Sequence, residues 1–181
     1  MNITRRNLAT ALLGTTALAA CGTTTLTPTL IITEAGTVAN GLAGAITQIA
    51  TAYPALIPAA TLVTIKTDLG LAQTAATGLS AALPATTGAS VVQTIEGYIN
   101  AVLTVLAGPP INGLIPAPFN MAISAAALLV PDLEAFANTY LAPTAAASLA
   151  AAHARAMLVV NAPPITDKNA ALLVLAGYAK K

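Results

Sequence analysis

The run Val91-Val92-Gln93-Thr94-Ile95-Glu96-Gly97-Tyr98-Ile99-Asn100-Ala101-Val102-Leu103-Thr104-Val105-Leu106-Ala107 decides the fold class. Val92, Ile95, Ile99, Val102 and Leu106 recur at spacings of three and four, the repeat that lines side chains along one face of an α-helix. Gly108-Pro109-Pro110 ends the run, because proline lacks an N–H and its ring clashes with a helical turn behind it. On the other side Pro84 to Gly88 reads as a loop, with Thr87 or Ser90 as the expected N-cap.

The same period recurs outward in both directions. Val38, Leu42, Ile46 and Ile49 share one face of a helix expected to begin at Glu34, whose carboxylate in the first turn would suit the helix dipole. Tyr53-Pro54 closes it. From about Ala59 to Leu83 the stripe is Leu62, Ile65, Leu69, Ala72, Ala76 and Leu79, with Lys66 and Asp68 off it. Ile111 to Pro118 is an irregular apolar loop. A fourth helix starts near Phe119, and Pro131 is expected to kink it or to open a separate segment, Asp132–Leu141. Ala-rich 144–160 predicts a fifth helix, and Thr166 or Asp167 caps a short last one reaching Tyr178. Small residues on the faces (Ala39, Ala43, Gly44; Ala72, Ala76) allow close helix approach. The expected class is all-α: an up-and-down bundle of four to six helices over 34–181.

The chain before the bundle has another character. Arg5 and Arg6 give a positive start without acids, Leu8–Ala17 is a short apolar run, and Leu18-Ala19-Ala20-Cys21 follows. Charge, apolar run and small residues in that order make a secretory signal peptide over 1–20. Here the small residues end on the one cysteine of the protein. The segment resembles the lipobox of bacterial lipoprotein precursors. That resemblance implies cleavage between Ala20 and Cys21, diacylation of the Cys21 sulfur and acylation of the new N-terminus. Each buried CH₂ contributes about 0.8 kcal/mol, so three acyl chains hold a domain on a membrane where one would not. Gly22, rather than Asp, implies the outer membrane in place of the inner. Thr4-Arg5-Arg6-Asn7-Leu8 also resembles a twin-arginine export motif, although Ala9 stands where a second strongly apolar residue is usual. Both that route and the general secretory route stay open. Residues 21–33, rich in Thr with Pro28, are expected to form a flexible tether that reaches roughly 40 Å when extended. Leu30-Ile31-Ile32 offers a short run able to dock on the domain instead.

Composition narrows the function. Of 181 residues 56% are hydrophobic, 7% charged and 3% aromatic, and there is one His. About a quarter of the chain is Ala, the best helix former and a weak contributor of transfer energy. The formal charge of +1 becomes −1 once Arg5 and Arg6 leave, since five basic residues then face six acidic ones. No basic stripe exists for nucleic acid. Lys66, Asp68 and Glu96 interrupt two of the apolar segments, and a charge at mid-bilayer costs about 2.5–3.5 kcal/mol on insertion scales. Ala35–Tyr53 carries Asn40, Gln48 and several Thr, so none of these segments reads as a convincing span.

Candidate chemistry is sparse. His153 and Arg155, two residues apart, point to different faces of one helix. Ser90 in Gly88-Ala89-Ser90-Val91-Val92 lacks the second glycine of a nucleophile elbow. Asp132 and Glu134 suit a general acid/base pair or, more simply, a helix's first turn. Glu96 suits a half-buried position paired with Lys66, or a solvated face. Gly41-Leu42-Ala43-Gly44 lies within a helix and lacks the third glycine of a dinucleotide fingerprint. Tyr53, Tyr98, Tyr140 and Tyr178 are expected at the rim of the bundle. The sequence thus predicts no enzyme, no cofactor beyond the covalent lipid on Cys21, and no metal site. The expectation is an envelope lipoprotein on the periplasmic face of a membrane, with a structural or protein-interaction role in an envelope, secretion or phage-lysis assembly. An apolar-ligand or lipid carrier and a membrane-inserting bundle are the alternatives.

Overall fold

Thr27-Pro28 starts the first helix: the Thr27 hydroxyl accepts from the Leu30 N–H at 3.3 Å, and Pro28 supplies a preset φ where no N–H is needed. The computed structural model describes residues 27–80, 83–111, 113–141 and 165–180. Among them are α1 (Pro28–Ala52), α2 (Ala59–Gly78), α3 (Ala85–Ala107), α4 (Ala117–Tyr140) and α5 (Lys168–Ala179), with no strand. The protein is an all-α helical bundle. Cys21, Ala20, Arg5, Arg6, His153, Arg155 and the helix expected at 144–160 lie outside the described residues.

The direction of each helix follows from what meets at its ends. The link from Tyr53 to Pro58 is at most about 20 Å long, whereas α1 rises about 37 Å over its 25 residues. So α2 must fold back along α1, and midway Gln73 Nε2 donates to Asn40 Oδ1 at 2.9 Å. Equally short links at 79–84 and 108–116 turn the chain into α3 and α4. In the second, Gly113 at φ +84° takes the left-handed conformation that costs glycine little. α1 packs against α2, α4 and α5, and touches α3 only lightly. Its stripe of Val38, Leu42, Ile46 and Ile49 is fully buried, as are Val92, Ile95, Ile99, Val102 and Leu106 of α3. One contiguous core joins all five helices.

Four sequence expectations change. Residues 28–33, expected in the tether, form the opening turns of α1, because Thr27-Pro28 is itself a helix start and Ile31 is buried in the core. Helix α3 starts at Ala85 behind Pro84, so Thr87 and Ser90 lie inside it and cap nothing. Pro131 neither ends α4 nor opens a new segment. It sits on the exposed side, with Leu129, Val130, Leu133 and Phe136 buried around it, and the helix continues past it, so of the two expectations the separate segment is the one overturned. Tyr53, Tyr140 and Tyr178 fall at helix ends, but Tyr98 is half-buried in the middle of α3.

Charge does not cover the outer faces; threonine does. The hydroxyls of Thr33, Thr47, Thr51, Thr64, Thr67, Thr74, Thr94 and Thr139 each donate to the carbonyl four residues earlier. This bond satisfies the side chain locally and leaves a methyl-bearing surface with little net polarity. By length and composition α1, α3 and α4 are each long and apolar enough to cross a membrane. That corrects the expectation that no segment of this kind would qualify.

Candidate functional site

The two ends of the bundle carry different chemistry. At one end α1 begins, α4 finishes and α5 begins, which brings Glu34, Asp132 and Lys168 together from three helices. Lys168 Nζ donates to Asp132 Oδ1 at 2.6 Å and Oδ2 at 2.5 Å. Glu34 stands behind this pair, only 2% exposed. Burial first, and then the negative charge of Asp132, raise its pKa from the ordinary 4.5 to about 7. Lys168 opposes the rise, while a hydrogen bond with Asp132 adds to it. A carboxyl hydrogen-bonded to a carboxylate must carry the shared proton, so near neutrality Glu34 is a neutral donor as much as a charge.

The sequence missed this cluster. It read Asp132 with Glu134 as the acid pair, yet those two residues are half-buried on different faces of α4, and Asp132 faces Glu34 instead. It read Glu34 as a first-turn acid suited to the helix dipole, whereas α1 starts six residues earlier and places Glu34 in its second turn, facing inward. The signal was present: Glu34 lies four residues before Val38, on the same stripe. Among the other candidates, Glu96 is half-buried and accepts from Asn100 Nδ2, one turn along α3. Lys66 and Ser90 are exposed.

At the same end the starts of α1 and α3, the end of α2 and the late part of α4 enclose a cavity of about 240 Å³. Ile31, Ile32, Leu79, Leu83, Val92 and Phe136 provide most of its wall, and Ser80 is the polar side chain in it. The opposite end is built on aromatic rings, with the exposed Lys180 at the C-cap of α5 beside them. Phe119 of α4 lies between Tyr53 and Tyr178, with ring centroids 6.2 and 6.0 Å away, and Tyr178 donates its hydroxyl to the Pro118 carbonyl at 2.6 Å. Beside this cluster Tyr53, Pro54, Leu56, Pro58, Pro110 and Leu114 line an open apolar groove of about 540 Å³. Tyr53 and Leu114 are 44% and 58% exposed there, while Ile111 and Ile115 of the same loop are buried.

The glycines of Gly41-Leu42-Ala43-Gly44 have a packing role. A Cβ at Gly41 would lie 2.6 Å from the Leu175 Cβ and carbonyl oxygen, and one at Gly44 would overlap the Tyr178 carbonyl. The same residue offset relates Glu34 to Lys168, Gly41 to Leu175 and Gly44 to Tyr178, so α5 lies parallel to α1 and in register with it. Among the described residues no three His, Cys, Asp or Glu side chains converge as metal ligands. No protein family, curated protein or solved structure matches the chain.

Proposed function

We propose that the chain is a bacterial envelope lipoprotein: a helical bundle anchored by the acylated Cys21, without catalytic activity, that presents its aromatic end to a protein partner. The observation that carries this reading is the spacing of the lipobox from the fold. Six residues lie between Cys21 and Pro28, the first residue of α1. Their reach is at most about 25 Å. An anchor that short keeps the Glu34 end beside the membrane and directs the groove of Tyr53 and Leu114 outward. Exposed apolar patches on an otherwise mild surface commonly mark protein contacts. By resemblance, Gly22 favours the outer membrane, with the bundle on the periplasmic side.

A bundle beside the bilayer suits the sequence better than one within it. The large apolar side chains of α1, α3 and α4 face one another, Glu34 sits in α1, and threonine occupies the outer faces. The carrier reading has one observation in its favour, the cavity at the Glu34 end. The test is metabolic labelling with a palmitate analogue. The wild type is expected to take the label and Cys21→Ala to lose it; equal labelling of both, or of neither, would sink the lipoprotein reading.

A further inference from the structure

The cavity at the Glu34 end has apolar walls, a size and a position that together suit one ligand. Among the described residues no charged side chain lines it, and Ile31 and Val92 in its wall are fully buried, so those walls offer no partner to a phosphate, a sugar or an ionic headgroup. Its 240 Å³ falls below the usual range of about 300–1,000 Å³ for drug-sized ligands. It exceeds the roughly 150 Å³ that suffices for a benzene ring. Those dimensions suit a stretch of a single alkyl chain. Pro28, Ile31 and Ile32 of its wall belong to the opening turns of α1, the part of the fold closest in sequence to Cys21.

We propose that one acyl chain of the lipid on Cys21 seats in this cavity, while the other two remain in the membrane. The inference rests on the lipoprotein reading above. Hydrocarbon gains as much from leaving water for a protein cavity as for a bilayer, so moving one chain between them is nearly neutral. The six residues between Cys21 and Pro28, a span of at most about 25 Å, give that chain an effective concentration in the millimolar range at the cavity mouth. Free lipids compete poorly with a ligand held so close. Seating one chain fixes the bundle against the membrane surface with the Glu34 end down, where a loose anchor would let it swing.

The test uses the intact protein in its own membrane. Cells are fed a palmitate analogue that carries a photoactivatable diazirine, irradiated, and the cross-linked peptides are mapped by mass spectrometry. The expected adduct joins the Cys21 peptide to peptides that contain Ile31, Leu83, Val92 or Phe136. Gly88→Leu is the control: Gly88 lines the cavity, and a Cβ there meets nothing within 4 Å, so the leucine side chain starts into the space the acyl chain would occupy. It also improves helix propensity in α3. This variant is expected to keep its Cys21 label and lose at least tenfold of the internal cross-link. A labelled Cys21 with no cross-link to the cavity overturns the inference and leaves the lipoprotein reading standing. Cavity adducts that carry a free fatty acid or phospholipid in place of the Cys21 peptide overturn it in favour of a lipid carrier. An unlabelled protein overturns the lipoprotein reading itself.

Discussion

The end of the bundle at Glu34 and the end at Tyr53 are built from the same helices, yet by opposite means. At the Glu34 end three titratable side chains from α1, α4 and α5 share one charge network, with Asp132 held by Lys168 and Glu34 buried behind them. At the Tyr53 end three aromatic rings, from the cap of α1 and from α4 and α5, meet edge to face at Tyr53–Phe119 and tilted at Phe119–Tyr178, with one hydroxyl bonded to a carbonyl. Between them α5 touches α1 through Gly41 and Gly44. The contrast teaches where each end can respond. A charge network makes its end sensitive to pH; an aromatic cluster with an open groove is indifferent to pH and offers apolar surface.

The glycine seam that joins the two ends is the place to break the comparison outright. Gly41→Leu or Gly44→Leu drives a side chain into the backbone of α5, which cannot move aside without undocking. Overpacking in cores typically costs 1–3 kcal/mol and more when backbone is the obstacle. The expected loss is about 3 kcal/mol or more, read in denaturant melts, and it should disorder both ends together. A change of less than about 0.5 kcal/mol would mean that α5 does not lie on α1 in this register.

The next effect sharpens the charged end. Glu34 has a higher pKa folded, about 7, than its ordinary 4.5, so the folded chain holds that proton more tightly. Stability is therefore greatest below about pH 4.5 and falls as pH rises through 7, by about 3 kcal/mol in all from this group. Glu34→Gln should flatten that slope and raise the melting temperature at pH 8. A wild type whose stability climbs between pH 5 and 8 would contradict the buried acid. The smallest effect belongs to the aromatic end: Leu114→Ala, at a position 58% exposed, should cost no more than about 0.5 kcal/mol at any pH.

Much of this was legible in the chain. The stripes of α1 and α3 were read residue by residue because their apolar side chains are large and their spacing unbroken. The Asp167 cap of α5 was also legible, and its carboxylate accepts from the Asn169 N–H at 3.0 Å. What escaped depended on tertiary context. Thr27-Pro28 is a good helix start in retrospect, but the threonine run before it drew attention toward a tether. Pro131 reads as a stop in isolation, and only burial on both sides of it carries α4 through. The Glu34 cluster joins residues more than 130 positions apart, which no local pattern encodes. Gly44 reads as a small residue that allows close approach and Gly41 only as the start of a glycine run, yet nothing in the sequence names α5 as the helix that needs them.

The central claim is that the bundle stands on a membrane by its Glu34 end without entering the bilayer. The direct measurement is depth-dependent quenching of fluorophores on the acylated protein in its native lipid, one at Thr33, one at Thr104 and one at Leu114, using quenchers in the headgroup and at mid-chain. The account expects strong headgroup quenching at Thr33, little at Thr104 and Leu114, and none from mid-chain quenchers at any of the three. Mid-chain quenching at Thr104, or equal headgroup quenching at Thr33 and Leu114, would contradict it.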